Sequence, residues 1–576
     1  MSQRIVVDPV TRIEGHLRVE AQVEGGQVTD AWSSGTMWRG IENVILGRDP
    51  REAWLFAQRI CGVCTTVHAQ ASVRAVEDAL DIKPPLAASL IRDLIALSQI
   101  IHDHTIHFYQ MQAFDWVDVL AALRADPVKT AAIQASLSDY PVSGASYFQD
   151  VQGKLQSFVN GGNLGPFANG YWGHPAYKLP PEVDLLAVSH YLDALQFQRN
   201  FIRVQAYLGG KNPHPQTYLV GGIARPIDLN SDDALNDEGL AQLEDLFTSA
   251  LNFVTQALLP DLVAISSYYP DWAKIGAGTG NYLDFGDFSS TGVPPRGGTL
   301  NNASLFFPAG IIRDRDLTRL EPLDPMRLTE EVARSWYTYS GGDDEAVQPY
   351  QGETHPNYTG PTPPYDHLDV GSRYSWLKSP RYGGAVMETG PLARMLISYA
   401  AGRPQVKNLI NSTLGQLRLG TDALFSTLGR QLARGVETVV VAQQALVVLA
   451  QLRERIAAGD TQTFDDSKWD PGTWPSSARG FGLHAGPRGA LSHWVEITDG
   501  KVSNYQVISP TTWNAGPRDA SGQRGPYEAA LVGTPVHDPT QPVEILRTLH
   551  SFDPCMACAA HILDAEGTEL LRIKVQ

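Results

Sequence analysis

Apolar and polar residues alternate through residues 4–35, which is the signature of strands with one buried face. The alternation over 16–23 runs into Glu24-Gly25-Gly26 and resumes over 28–32, predicting a β-hairpin with a Gly-Gly turn. The apolar spacing then changes to three and four. It predicts a helix over 50–59 that stops near Cys61, another from Thr66, and a long one opened by Pro84-Pro85 that runs to about residue 122. Further helices are predicted over 181–208, 238–265 and 419–457, the last being the longest helical signal. Between residues 276 and 384 the chain is rich in Gly, Pro, Asp and aromatics, which reads as a packed wrap over the helices. Alternation returns over 492–508 around an Asp499-Gly500 turn, a short helix is predicted over 542–550, and the tail 562–576 alternates again. The fold class expected is α+β: a mainly α-helical core, a bundle of long helices, with small β-hairpin regions near both termini that bring the chain ends together. No internal repeat is present, so residues 1–576 read as one interlocked domain.

Composition narrows the partners more than the fold. With 45 Lys and Arg against 62 Asp and Glu the net charge is −17, which argues against nucleic acid and anionic membrane surfaces as main partners. Hydrophobic residues make up 43% and charged residues 19%, a globular balance. No run of 18 apolar residues occurs: the best stretches, 85–101 and 436–452, are interrupted by Arg92, Asp93, Glu437, Gln443 and Gln444. The start, Met1-Ser2-Gln3-Arg4, has no apolar signal core and no twin arginine, so an export address is expected on a partner.

The four cysteines carry the chemistry. They form two Cys-x-x-Cys pairs, Cys61/Cys64 and Cys555/Cys558, with 490 residues between Cys64 and Cys555. Such a turn sets both sulfurs on one side and aims two thiolates at one ion. Four thiolates suit zinc, an iron–sulfur cluster or another thiophilic metal such as nickel. A structural zinc ribbon, the plainer alternative, keeps its pairs close in sequence to fold a small domain. A metal joining the two ends of a large helical protein fits a buried catalytic centre better. On residue types alone, Glu14 is an ordinary surface carboxylate, Arg488 a loop arginine, and Val63 and Met111 plain core packing.

The motifs together resemble one family. Asp8-Pro-Val-Thr-Arg-Ile-Glu14-Gly-His16, Arg59-Ile-Cys61-Gly-Val-Cys64-Thr-Thr-Val-His68, His102-Asp103-His104, Gly486-Pro-Arg488-Gly, Pro510-Thr-Thr-Trp-Asn514 and Asp553-Pro-Cys555-Met-Ala-Cys558-Ala-Ala-His561 are similar to the large, catalytic subunit of nickel–iron hydrogenases, the membrane-associated, periplasm-facing respiratory type. The resemblance implies reversible heterolytic cleavage of H2. It implies nickel on Cys61, Cys64, Cys555 and Cys558, with Cys64 and Cys558 bridging to an iron that carries cyanide and carbon monoxide. Glu14 would take protons from Cys555. Arg488 would sit over the metals and donate to one cyanide, oriented by Asp103 and Asp553, with Thr511 as the hydroxyl donor to the other cyanide and His68 as an outer donor. Glu42 and His561 would hold a separate magnesium or iron ion, and Val63 and Met111 would line the gas channel. Gly486 stands where the family usually has Ala. The implied partners are an iron–sulfur small subunit that relays electrons and carries the export signal, a membrane anchor or cytochrome-type acceptor, and a maturation endopeptidase. That enzyme would cut between His561 and Ile562 and remove the extension 562–576. The alternatives are a hydrogen sensor of the same family and a structural or adaptor protein with a four-thiolate zinc.

Overall fold

The computed structural model describes residues 2–162, 164–168, 170–291, 304–362 and 365–559. The N-terminal alternation forms three antiparallel strands in sequence order, β1 (Gln3–Val7), β2 (Leu17–Glu24) and β3 (Gln27–Gly35). Gly25 and Gly26, both at positive φ (58° and 78°), make the β2–β3 turn that only such residues form without strain. The inward residues Leu17, Val19, Ala21 and Val23 pack with Leu546, Leu549 and Met556, so the first sheet is closed by the last helices of the chain.

Five helices build the core: α1 (Val67–Ala79), α2 (Leu86–Ile106), α3 (Pro181–Phe201), α4 (Asp237–Phe253) and α5 (Thr427–Ala457). α5 is flanked by α2 and α4, and residues 427–442 are buried all round, Arg430, Arg434 and Glu437 included. By length and composition it could cross a bilayer, yet 67% of its most apolar stretch is buried inside the molecule. Its expected start at residue 419 moves to Thr427, because residues 421–424 form a 3₁₀ turn and the Ser426 side chain caps the helix by accepting from Gly429 N–H. The last quarter adds an antiparallel sheet, β4 (Ser477–Gly486), β5 (Gly489–Thr498) and β6 (Lys501–Ile508), then α6 (Val543–His550) and the short α7 (Met556–Ala559).

Three expected helices are broken. The one opened at Pro84-Pro85 leaves α geometry after Ile106, passes through a π turn over His107–Gln112 and ends in a 3₁₀ turn over Ala113–Asp115. Arg12 takes the Met111 carbonyl and the Asp115 side chain there, and Arg547 takes the Asp115 carbonyl, which draws the chain off the helix path. The helix over 238–265 widens to a π turn over Val254–Leu258. Pro260 has no N–H for the Gln256 carbonyl, which the Ser138 hydroxyl satisfies instead. The helix over 181–208 steps at Ile202 into a second piece, Arg203–Gly209, closed by Gly210 at φ 79°. Pro127–Leu137, Ala145–Asn160, Pro391–Ala400 and Pro404–Leu417 are helices that the sequence reading left unassigned.

Candidate metal centre

The four cysteines converge although they come from opposite ends of the chain. Cys61 follows a 3₁₀ turn over Gln58–Ile60, and Cys64 leads into α1. Cys555 and Cys558 sit on the final turn. The sulfurs lie 3.4 Å apart for Cys61–Cys555, 2.9 Å for Cys64–Cys558 and 3.0 Å for Cys555–Cys558, and all four fall within 4.8 Å of one another. None is in a disulfide and all are buried. The amides of Val63 and Cys64 both point at Cys61 Sγ at 3.3 Å. Cys61 is held well below the ordinary thiol range because Cys555, Cys558 and Cys64 donate to it. Burial pushes Cys64 up to about 11, and Cys555 and Cys558 well above the ordinary range. The protein alone therefore stabilises one thiolate here and opposes four.

Glu14 lies against this cluster because its backbone pairs with the Cys555 segment. Met556 N–H donates to the Glu14 carbonyl at 2.8 Å, and Ala557 N–H donates to Glu14 Oε2 at 2.8 Å. Cys555 Sγ is 3.3 Å from the same carboxylate oxygen. Gly15 follows at φ 78°, and a Cβ there would collide with Met556 and the Ala557 nitrogen, so only glycine permits this approach. Burial, then the Cys61 charge, raises the Glu14 carboxyl above its ordinary value, against the Ala557 amide, Cys555 and Arg488.

Arg488 occupies the two-residue turn between β4 and β5, where Gly486 pairs with Gly489. Its Nη1 donates to Asp103 Oδ2 at 3.0 Å, and its Nε lies 3.0 Å from Asp553 Oδ1 as an ion pair without hydrogen-bond alignment. Burial works against its charge, but Asp553, Cys555, Asp103 and Cys64 hold it firmly protonated. Thr511 accepts the Cys555 amide at 3.2 Å. Nine expected residues thus share one neighbourhood: the four cysteines, Glu14, Arg488, Asp103, Asp553 and Thr511.

Of the others, Val63 borders the sulfurs through its amide on Cys61 Sγ. His68 turns Nδ1 to His493 Nε2 at 3.0 Å, and His493 Nδ1 continues to the Tyr505 hydroxyl at 2.7 Å. Glu42 is buried elsewhere, accepting from Val507 N–H at 2.8 Å and from the Thr354 hydroxyl. Val63 is half-buried and its carbonyl accepts from Gln99 at 3.0 Å; Met111 is half-buried on the π turn. His561, Ile562 and the extension 562–576 lie outside the described residues. Sequence reasoning missed Arg394, whose Nη2 donates to the Gly486 carbonyl at 2.7 Å and so holds the Arg488 turn. It also missed Arg434, which donates to the Ser551 carbonyl at 3.0 Å beside Asp553 and is lowered to about 10 by burial. No local motif marks either residue, since each acts across the fold.

The geometry agrees with what the chain is similar to. A family description, nickel-dependent hydrogenase, matches residues 39–561, and a second, HoxL-like, matches residues 4–33. The chain is 46% identical over 588 residues to the uptake hydrogenase large subunit of Rhizobium leguminosarum bv. viciae, covering 100% of this chain and 98% of that one. It is 44% identical over 590 residues to the hydrogenase-1 large chain of Escherichia coli (strain K12), covering 100% and 97%. Among solved structures, the reduced, active form of the Ni-Fe-Se hydrogenase from Desulfomicrobium baculatum superimposes with a TM-score of 0.74 at 30% identity, covering 97% of this chain and 100% of that one. The chain belongs to the nickel-dependent hydrogenase large-subunit family.

Proposed function

We propose that the chain is the catalytic subunit of a nickel–iron hydrogenase that oxidises H2 in an uptake role. The observation that carries this reading is the meeting of four buried sulfurs with Glu14 on Cys555 and Arg488 fixed between two carboxylates. The donor set fits such a centre. Soft thiolates suit nickel and iron, and burial keeps three of the four thiols from ionising unless metal charge compensates them. Cys61, Cys64, Cys555 and Cys558 would hold nickel and an iron that carries carbon monoxide and cyanide. When bound, the centre supplies the Lewis-acid and redox chemistry that splits H2 into two protons and two electrons.

The chain's own residues handle protons and charge. Glu14 takes a proton at Oε2, beside Cys555 Sγ, and burial followed by the Cys61 charge raises its proton affinity above that of an ordinary carboxylate. Arg488 is a fixed cation oriented by Asp103 and Asp553; it would donate to a diatomic ligand of the centre and steady developing negative charge. Thr511 would offer its hydroxyl to the other cyanide, and His68 supports the cysteine turn from outside. Val63 and Met111 line the gas approach. Glu42 and His561 would hold a magnesium or iron ion, the carboxylate being a hard donor suited to magnesium.

All four cysteines serve one site, so this chain has no thiols left for an electron relay. Its relatives are named large subunits, and the matching small subunit would carry iron–sulfur clusters and the export signal. That partner would link the enzyme to a membrane anchor or cytochrome-type acceptor on the periplasmic side of the cytoplasmic membrane. A maturation endopeptidase would cut after His561; the end of the family match at residue 561 supports this. Metal analysis with infrared spectroscopy tests the reading. Nickel and iron in about equal amounts, with bands from carbon monoxide and cyanide, are expected. Zinc alone in an active preparation would overturn it.

A further inference from the structure

α6 ends on His550, whose ring is wholly enclosed. Nδ1 lies 2.6 Å from Asp115 Oδ2, and Nε2 lies 2.8 Å from the Thr11 carbonyl oxygen. A carbonyl has no proton to give. Asp115 has none either: burial alone would raise its carboxyl, but Arg12 and His550 bring it below the ordinary value. Two acceptors on one imidazole require an N–H on both nitrogens. His484 shows the contrast: it meets the Asp287 carboxylate through Nδ1 at 2.7 Å while its Nε2 has no hydrogen-bond partner among the described residues, and burial lowers it, an arrangement a neutral ring satisfies.

These bonds reach both halves of the proposed proton path. Thr11 and Arg12 lead directly into Glu14, and Arg12 also donates to the other oxygen of Asp115. His550 leads through Asp553 into Cys555. The remaining groups that face the pair come from every neighbouring segment. Arg547 donates to the Asp115 carbonyl. His107 on the π turn donates through Nε2 to the His550 carbonyl at 2.7 Å and is kept neutral by burial and by Arg434, Arg488 and His550. Tyr171 and Tyr177 lie within the field of Asp115, and burial keeps both as neutral phenols.

We propose that His550 is a positioning residue held as a buried imidazolium, clamping residues 11–14 and the segment entering Cys555 to Asp115, and that this clamp sets the approach of Glu14 to Cys555. A cation paired with a carboxylate and a carbonyl in a dry interior fixes its neighbours in a way a neutral ring, with one donor, does not. The consequence for proton transfer rests on the reading of Glu14 as the relay; the charge state of His550 does not.

Solid-state nitrogen NMR of the histidine-labelled heterodimer tests the charge state first. A ring carrying a proton on both nitrogens is expected in the wild-type enzyme, and its signal should vanish in His550→Gln. If every ring in the wild-type enzyme carries a single proton, the clamp is overturned whether or not a variant folds. His550→Gln and Asp115→Asn should each retain nickel, iron and the infrared bands, yet slow H2/D2O exchange by roughly tenfold to a hundredfold. In a Glu14→Gln background they should add no further loss. Additive losses, or loss of the metals, would make His550 a structural residue and sink the positioning role. Wild-type exchange in Glu14→Gln would remove the relay and with it the consequence drawn for His550, while the doubly protonated signal stands or falls separately.

Discussion

At the scale of single residues, Arg488 is set by two carboxylates that meet different nitrogens of its guanidinium, Asp103 at Nη1 and Asp553 at Nε. A lysine offers one charged nitrogen and cannot meet both while also facing the sulfurs. Arg488→Lys should therefore retain nickel and iron but lose turnover by about two orders of magnitude, measured as H2-dependent dye reduction beside metal content. Asp93, on α2 away from the sulfurs, makes a different prediction. Burial pushes its carboxyl to about 8, against the attraction of Arg74. The folded chain holds a proton there that an unfolded chain, with the ordinary value of 3.8, releases. This contribution to stability is full below the ordinary value and is lost as pH rises to about 8. Asp93→Asn carries no titrating proton, so its thermal midpoint should fall less than the wild type's across that window, as calorimetry would record. The cysteine ligands were legible because Cys-x-x-Cys spacing is local. The partners of His550 were not, because Asp115 lies 435 residues away and no periodicity connects them.

At the scale of elements, the position of the first cysteine pair depends on how closely β4 lies on α1. Gly480 and Gly482 allow strand and helix backbones to touch: a Cβ at Gly482 would collide with the Ala71 carbonyl, and one at Gly480 would lie 2.5 Å from the Ala75 carbonyl. Because α1 begins three residues after Cys64, lifting it off the sheet moves that sulfur. Gly482→Ala should destabilise the fold by about 1–3 kcal/mol through overpacking and lower nickel retention, read by calorimetry and metal analysis on the same sample. In the sequence, those glycines sit within a stretch that carried no clear alternation, so β4 was missed while β5 and β6 were read from their Asp499-Gly500 turn. The broken helices have a related cause. The apolar spacing of three and four continues through both π turns, and the departures are fixed by distant partners, Arg12 at Met111 and Ser138 at Gln256. The helix beginning at Pro127 carried a readable start, Asp126 capping Val128 and Lys129 N–H, which the reading passed over.

At the scale of the whole molecule, the chain closes on itself at the site. Glu14 pairs with Cys555 as an isolated parallel bridge, and Gln27 pairs with Pro535 in the same region, so the N-terminal sheet and the C-terminal helices form one wall. Ala559, the last described residue, is buried. A chain ending at His561 has two residues to house beyond it, whereas one ending at Gln576 has seventeen. The closure also buries the sulfurs: α7 is seated with Met556 and Ala557 bonded to Glu14, and all four cysteines are buried among the described residues. The proposed extension would keep the cysteines reachable until metal arrives, and ligation would then convert binding energy into folding energy. Two measurements follow from this order of events. Intact mass spectrometry of active enzyme should give a chain ending at His561, and full activity in a chain that retains Gln576 would refute the processing step. Ending the gene at His561 should yield a folded large subunit with little nickel, because closure then precedes loading; wild-type nickel content in that truncated chain would show that the extension has no part in keeping the site open.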